Sequence, residues 1–178
     1  PTWGAGSSMV LLSTQTASTS ASISFTGLIG STYKNYAIMC NDVIPVDNGV
    51  EMRMTTSINN GATYASTAYY SFCTSMQSSS TAFGTAVPVQ NGTHMIIANF
   101  INNSATLGGW NSIVYLHNPS ASLSTSITFA GTASNNGGHL VVQNGAGNRQ
   151  VAEIVNAIKF TLQTGNISSG TFKLYGIL

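Results

Sequence analysis

Apolar and polar residues alternate with a period of two along most of this 178-residue chain, and that spacing admits few folds. Successive side chains of a strand point to opposite faces, so alternation describes a ribbon half in a core and half out of it. The stretch "SASISFTG" sets Ile23 and Phe25 against Ser22, Ser24 and Thr26. "YAIMC" sets Tyr36, Ile38 and Cys40 against Ala37 and Met39, and "EMRMT" sets Met52 and Met54 against Glu51 and Arg53. "SIVYLH", "STSITFAG" and "AIKFTLQT" repeat the pattern with residues that pack well on a pleated surface. Ten to twelve strands are expected, over 8–14, 20–26, 34–44, 50–57, 68–76, 85–90, 93–101, 112–117, 123–133, 139–143, 157–164 and 171–177. Turn chemistry falls between them: "DNG" at 47–49, "NNG" at 59–61, "NG" at 91–92, "NNGG" at 135–138 and "NGAGN" at 144–148. The fold class this predicts is all-β, an antiparallel jelly-roll-like β-sandwich. One segment competes: in "NRQVAEIVNAI", Val151, Ile154, Val155 and Ile158 fit helical spacing, which predicts a single helical turn there.

The end of the chain alternates as well. In "SGTFKLYGIL", Phe172, Leu174 and Leu178 share one face, and Thr171, Lys173, Tyr175 and Ile177 share the other. Chain ends usually fray. The expectation is a C-terminal hairpin in which this strand pairs back on 157–164 and buries Phe172, Leu174 and Leu178.

Charge narrows the function. Five basic and four acidic residues make up 5% of the chain, against roughly 25% in an ordinary soluble protein. With 43% apolar residues and no charge block, the chain is not of disordered composition. Short uncharged polar groups enter an interface at lower desolvation cost than ions do. Low charge therefore points to a subunit much of whose surface meets other subunits, with sheet edges and one sheet face shared; Met52 and Met54 suit such a surface. A net charge of +1 argues against nucleic acid as a partner, and no apolar run reaches membrane-span length. "PTWGAGSS" does not read as a signal peptide, and Pro1 is taken to follow a removed initiator Met in a complete gene product. Residues 1–178 are read as a single domain, with 1–7 as an N-terminal arm.

Residues fit for chemistry are few. His94, His117 and His139 are far apart and belong to no metal or catalytic motif, and neither a nucleophile elbow nor a phosphate loop is present. Asp42, Asp47 and Glu51 surround "NDVIPVDNGVE"; three carboxylates there read as hairpin chemistry, as a weak Ca²⁺ set, or as a glycosidase acid and base. Cys40 and Cys73 read as buried free thiols, with a disulfide as the alternative. Three sequons, at Asn91, Asn102 and Asn166, are what chance supplies in so Asn-rich a chain. The ligand-binding candidates are aromatic: Tyr64, Tyr69 and Tyr70 in "YASTAYY", and Trp110 after two glycines, where rings among Asn and Ser could stack sugars. No cofactor is expected.

Three stretches, "ISFTGLIGSTYKNYAIMCNDVIP", "VEMRMTTSINNGATYASTAYY" and "AIKFTLQTGNISSGTFKLYGIL", together resemble a recurrent module of tailed-bacteriophage virion proteins. The matching residues are Tyr33 and Tyr36; Ser57, Gly61 and Tyr64; and Gly165, Ile167, Ser169, Gly170, Thr171, Phe172, Leu174, Tyr175, Gly176 and Ile177. Residues 77–150 match no part of that pattern. The resemblance implies a structural module without catalytic residues, located on the outer surface of the virion. It implies a non-enzymatic capsid-decorating (cement) protein, a homotrimer bound to other virion proteins, above all the major capsid protein. The alternatives are a receptor-binding tail-fibre head that touches host-surface glycan, and a carbohydrate-binding module.

Overall fold

A computed structural model describes residues 9–80 and 85–178. The expected arm over residues 1–7 lies outside the described residues. The architecture is all-β, with twelve strands: β1 (Met9–Ser20), β2 (Ile23–Thr26), β3 (Asn35–Pro45), β4 (Val50–Ser57), β5 (Tyr69–Gln77), β6 (Thr85–Gly92), β7 (Met95–Ile101), β8 (Trp110–His117), β9 (Leu123–Ser134), β10 (Leu140–Glu153), β11 (Ala157–Leu162) and β12 (Ile167–Ile177). They form an eight-stranded sheet, β1-β12-β3-β8-β9-β10-β5-β6, and a four-stranded sheet, β2-β11-β4-β7, with every pairing antiparallel. The result is a β-sandwich whose sheets are eight and four strands wide, not the evenly divided eight strands of a simple jelly roll.

The core lies between the sheets. Phe25, Tyr36, Ile38, Met52, Met54, Tyr69, Met95, Ile97, Trp110, Phe160 and Phe172 are fully buried there. Met52 and Met54, expected to suit a subunit interface, instead fill this interior. The reason is position: β4 is flanked by β11 and β7, so one of its faces lies wholly against the wide sheet.

The terminal strands differ from the expected hairpin. β11 pairs with β2 and β4 in the narrow sheet, while β12 lies between β1 and β3 in the wide one. The turn at Gly165 (φ 67°) thus crosses the sandwich, and the rings of Phe160 and Phe172 meet at 5.4 Å between the layers. Phe172 and Leu174 are buried as expected, but Leu178 is 76% exposed, one residue past the last ladder pair. β12 is held by neighbours on both sides, which ties it down against fraying.

Two local readings also change. The expected turn "NGAGN" is the middle of β10, between β9 and β5. A Cβ on Gly145 would overlap the Phe72 carbonyl oxygen, and one on Gly147 would lie 2.9 Å from the Met95 sulfur. Gly145 serves close approach within the sheet and Gly147 close approach of the narrow sheet, the other common reason for Gly in a strand. The expected helical turn is absent, because β10 continues to Glu153 through a bulge between Arg149 and Ala152. Gln150 and Val151 have no ladder partner on β9, and residues 154–156 lie between β10 and β11, so the alternation is interrupted there and the spacing imitates a helix.

The narrow sheet's edge strand β7 is buried, and two of its backbone groups are satisfied by side chains of the wide sheet. Ile96 N–H donates to Ser71 Oγ at 3.0 Å, and Gln143 Nε2 donates to the Asn99 carbonyl. Tyr69 Oη likewise accepts the Thr56 N–H of β4 at 2.7 Å. Leaving such a group unpaired costs about 1–3 kcal/mol, so the inner face of β5 and β10 is unusually polar.

Cys40 and Cys73 are free and buried. Burial pushes both thiols upward, Cys73 to about 11 from an ordinary 9.0, with the Ser75 hydrogen bond opposing and Glu51 adding to the rise. A raised folded value means the native state holds the proton more tightly. The corresponding stability is complete below pH 9 and is lost as pH rises towards 11. Denaturant melts should therefore show stability falling across that window, and less steeply in Cys73→Ala; equal slopes would refute the assignment.

Candidate functional site

The wide sheet's outer face, turned away from the core, is eight strands across. Strand register aligns Leu11, Tyr175, Ala37, Tyr115, Thr128, Ala146, Phe72 and Pro88 in one row across all eight strands. The next row on one side runs Met9, Ile177, Asn35, His117, Ser126, Asn148 and Tyr70. On the other side it runs Thr14, Lys173, Met39, Ile113, Ala130, Asn144, Thr74 and Ala86. Lys173 is the one Lys, Arg, Asp or Glu in these three rows. Leu11, Phe72, Met76, Tyr115, Leu140 and Val142 are all at least a third exposed on this face. On β5 the outer residues Tyr70, Phe72 and Met76 are more apolar than the inner Ser71 and Ser75, and Ser71 accepts a backbone N–H of the buried edge strand.

A groove of about 490 Å³ is cut into this face over β9, β10, β5 and β6. Its floor is made of small side chains, Ser126, Thr128 and Ala146, with Gly147 among them. Tyr70 and Phe72, two residues apart on β5, rise beside that floor, with Pro88 and Gln90 beyond them and Asn148 at one end. Among the described residues no Asp, Glu, Lys, Arg or His lines it.

The aromatic candidates separate. Tyr69 and Trp110 are fully buried, so neither offers a ring to a ligand; both are core residues. Tyr64 carries Lys159 Nζ 4.2 Å above its ring centroid and lines a smaller cavity of about 180 Å³, where Arg149 and Glu153 are ion-paired with each other. Tyr70 alone of the four faces the groove. Phe72, which the sequence reading passed over, joins it; two-residue spacing from Tyr70 was the available signal.

The acidic residues do not converge. Asp42 is exposed on a bulge (φ 50°) whose N–H donates to Asn111 Oδ1, Glu51 is bound to Arg53 at 2.8 Å, and the Asp47 carboxylate lies where a Cβ on Gly165 would come within 2.8 Å. Among the described residues no three His, Cys, Asp or Glu side chains are close enough to hold a metal ion. The sequon Asn102 is buried, with Oδ1 accepting Ser104 N–H at 2.6 Å. His94 is pushed below its ordinary value by burial and by Arg53, Glu51 opposing. His117 stacks on Tyr115 and shares a hydrogen bond with Thr128.

The motif residues turn out to be scaffolding. Tyr36 Oη accepts the Gly30 N–H and donates to the Gly30 carbonyl, closing the loop before β3. Ser57 Oγ accepts the N–H groups of Asn59 and Gly61 at 3.2 and 3.0 Å, which fixes the turn that presents Tyr64. Gly176 makes room for the Tyr33 ring, and Gly170 (φ 135°) for Val43. Compared with models of known protein families and with curated proteins, the sequence matches none.

Proposed function

We propose that the chain is a non-enzymatic bacteriophage virion structural protein, a capsid-decorating subunit on the outer surface of the particle. The observation that carries this reading is the outer face of the wide sheet: eight strands across, rich in exposed apolar side chains, with Lys173 as the one ionic residue in its three registered rows. Monomeric proteins seldom leave so much apolar surface uncovered, and interface centres are depleted of charge. The major capsid protein is the proposed partner, and self-association as a homotrimer follows from the same low charge joined to the virion resemblance. A second reading, a receptor-binding head module of a tail fibre or a carbohydrate-binding module, is favoured by the groove at Tyr70 and Phe72.

The test is co-sedimentation with assembled capsids that lack this protein, followed by heating. Binding that raises the capsids' resistance to heat, and that is lost in the double variant Tyr115→Asp, Met76→Asp, is the expected result. Attachment to host cells with no affinity for capsids would overturn the decoration reading in favour of the fibre.

A further inference from the structure

We infer that the groove over β9, β10, β5 and β6 is a binding site for a neutral carbohydrate chain. Four polar groups around it make no hydrogen bond within the described protein: the Tyr70 hydroxyl, the Ser126 hydroxyl, and the side-chain amides of Gln90 and Asn148. Elsewhere nine of the other sixteen Asn side chains are committed to the fold, Asn59, Asn102, Asn111, Asn135 and Asn156 among them. The groove thus gathers uncommitted donors and acceptors around the half-exposed Phe72 ring and the partly buried Tyr70 ring, while its floor is kept low by small side chains.

That combination selects a chemistry. A pyranose presents CH groups on one face, which lie on an aromatic ring, and hydroxyls at its rim, which pair with amides and hydroxyls. The absence of any ionic group in the lining disfavours anionic ligands, which would lose hydration without a cation to meet them, and it leaves a neutral saccharide nothing to desolvate at high cost. The volume of about 490 Å³ lies in the range of small-ligand sites. The groove is open along the sheet, so a chain can enter and leave at its ends. This inference rests on the second reading above, which it deepens, and not on the capsid-decorating one.

Saturation-transfer NMR and calorimetry on the full chain, with neutral hexasaccharides of β-1,4-glucose, α-1,4-glucose, β-1,4-galactose and β-1,4-N-acetylglucosamine, test it. Sialylated and sulfated oligosaccharides serve as anionic probes. At least one neutral probe should bind, with affinity lowered about tenfold by Tyr70→Ala and by Phe72→Ala. Phe72→Trp should retain binding, and Ala146→Leu should abolish it by filling the floor without removing a ring. Tyr115→Ala, outside the groove, should leave affinity unchanged. Failure of every neutral probe at millimolar concentration, binding of anionic probes alone, or equal affinity in Tyr70→Ala, Phe72→Ala and Ala146→Leu would overturn the site. Glycan binding without capsid binding would remove the decoration reading and leave the groove standing.

Discussion

Trp110→Ala should destabilise the protein by about 3–5 kcal/mol, the range for deleting a buried aromatic side chain. Trp110 opens β8, is fully buried, and belongs to the core cluster between the sheets. Its indole N–H has no hydrogen-bond partner among the described residues, and removing that unpaired donor offsets part of the loss. The lower end of the range, about 3 kcal/mol, is therefore expected, against a total stability of roughly 5–15 kcal/mol for a domain. In a chain of this length that shifts the melting midpoint by on the order of 10 °C. Tyr70→Ala, on the outer face, should cost within about 0.5–1 kcal/mol. Thermal melts of both variants separate the core aromatic from the groove aromatic. A neutral Trp110→Ala would mean that the ring is not packed where the fold places it.

Gly145→Val should prevent folding. Gly145 sits in the middle of β10 with strands on both sides, and any Cβ there would overlap the Phe72 carbonyl oxygen and crowd the Phe129 ring at 2.7 Å. The obstruction is backbone in a paired strand, which cannot rotate away as a side chain end can. Overpacking a core costs about 1–3 kcal/mol, and forcing two paired strands apart adds their ladder bonds, for a sum above about 4 kcal/mol. Insoluble expression or a non-cooperative melt is the expected outcome. Gly30→Ala is the control, since a Cβ there meets nothing within 4 Å, and it should be near neutral or slightly stabilising. Cooperative folding of Gly145→Val near the wild-type midpoint would show that β10 is not threaded between β9 and β5 in this register.

The groove was only partly legible in the sequence. Alternation through "YYSFCTSM" places Tyr69, Ser71, Cys73 and Ser75 on one face and Tyr70, Phe72, Thr74 and Met76 on the other, but ordinary hydrophobicity would put the second set inside. The fold does the reverse, because Ser71 is needed to satisfy the buried N–H of Ile96. Trp110 looked like a ligand contact after two glycines, yet Gly109 is there so that the chain can approach the Asp42–Val43 backbone closely.

What the residues determined by themselves is local: period two, turn residues at 47–49, 59–61 and 135–138, and hence an antiparallel sandwich of ten to twelve strands with Phe172 and Leu174 inside. Those features depend on neighbours in sequence, and alternation reports them directly. Only the tertiary structure decided which strands share a sheet, that β11 and β12 lie in different layers, and that "NGAGN" runs through a strand. It also decided which face of β5 is inside. Each of these turns on what a distant strand brings to the same place, the unpaired edge of β7 or the Phe72 carbonyl against Gly145, and residues so far apart in the chain leave no periodicity to read.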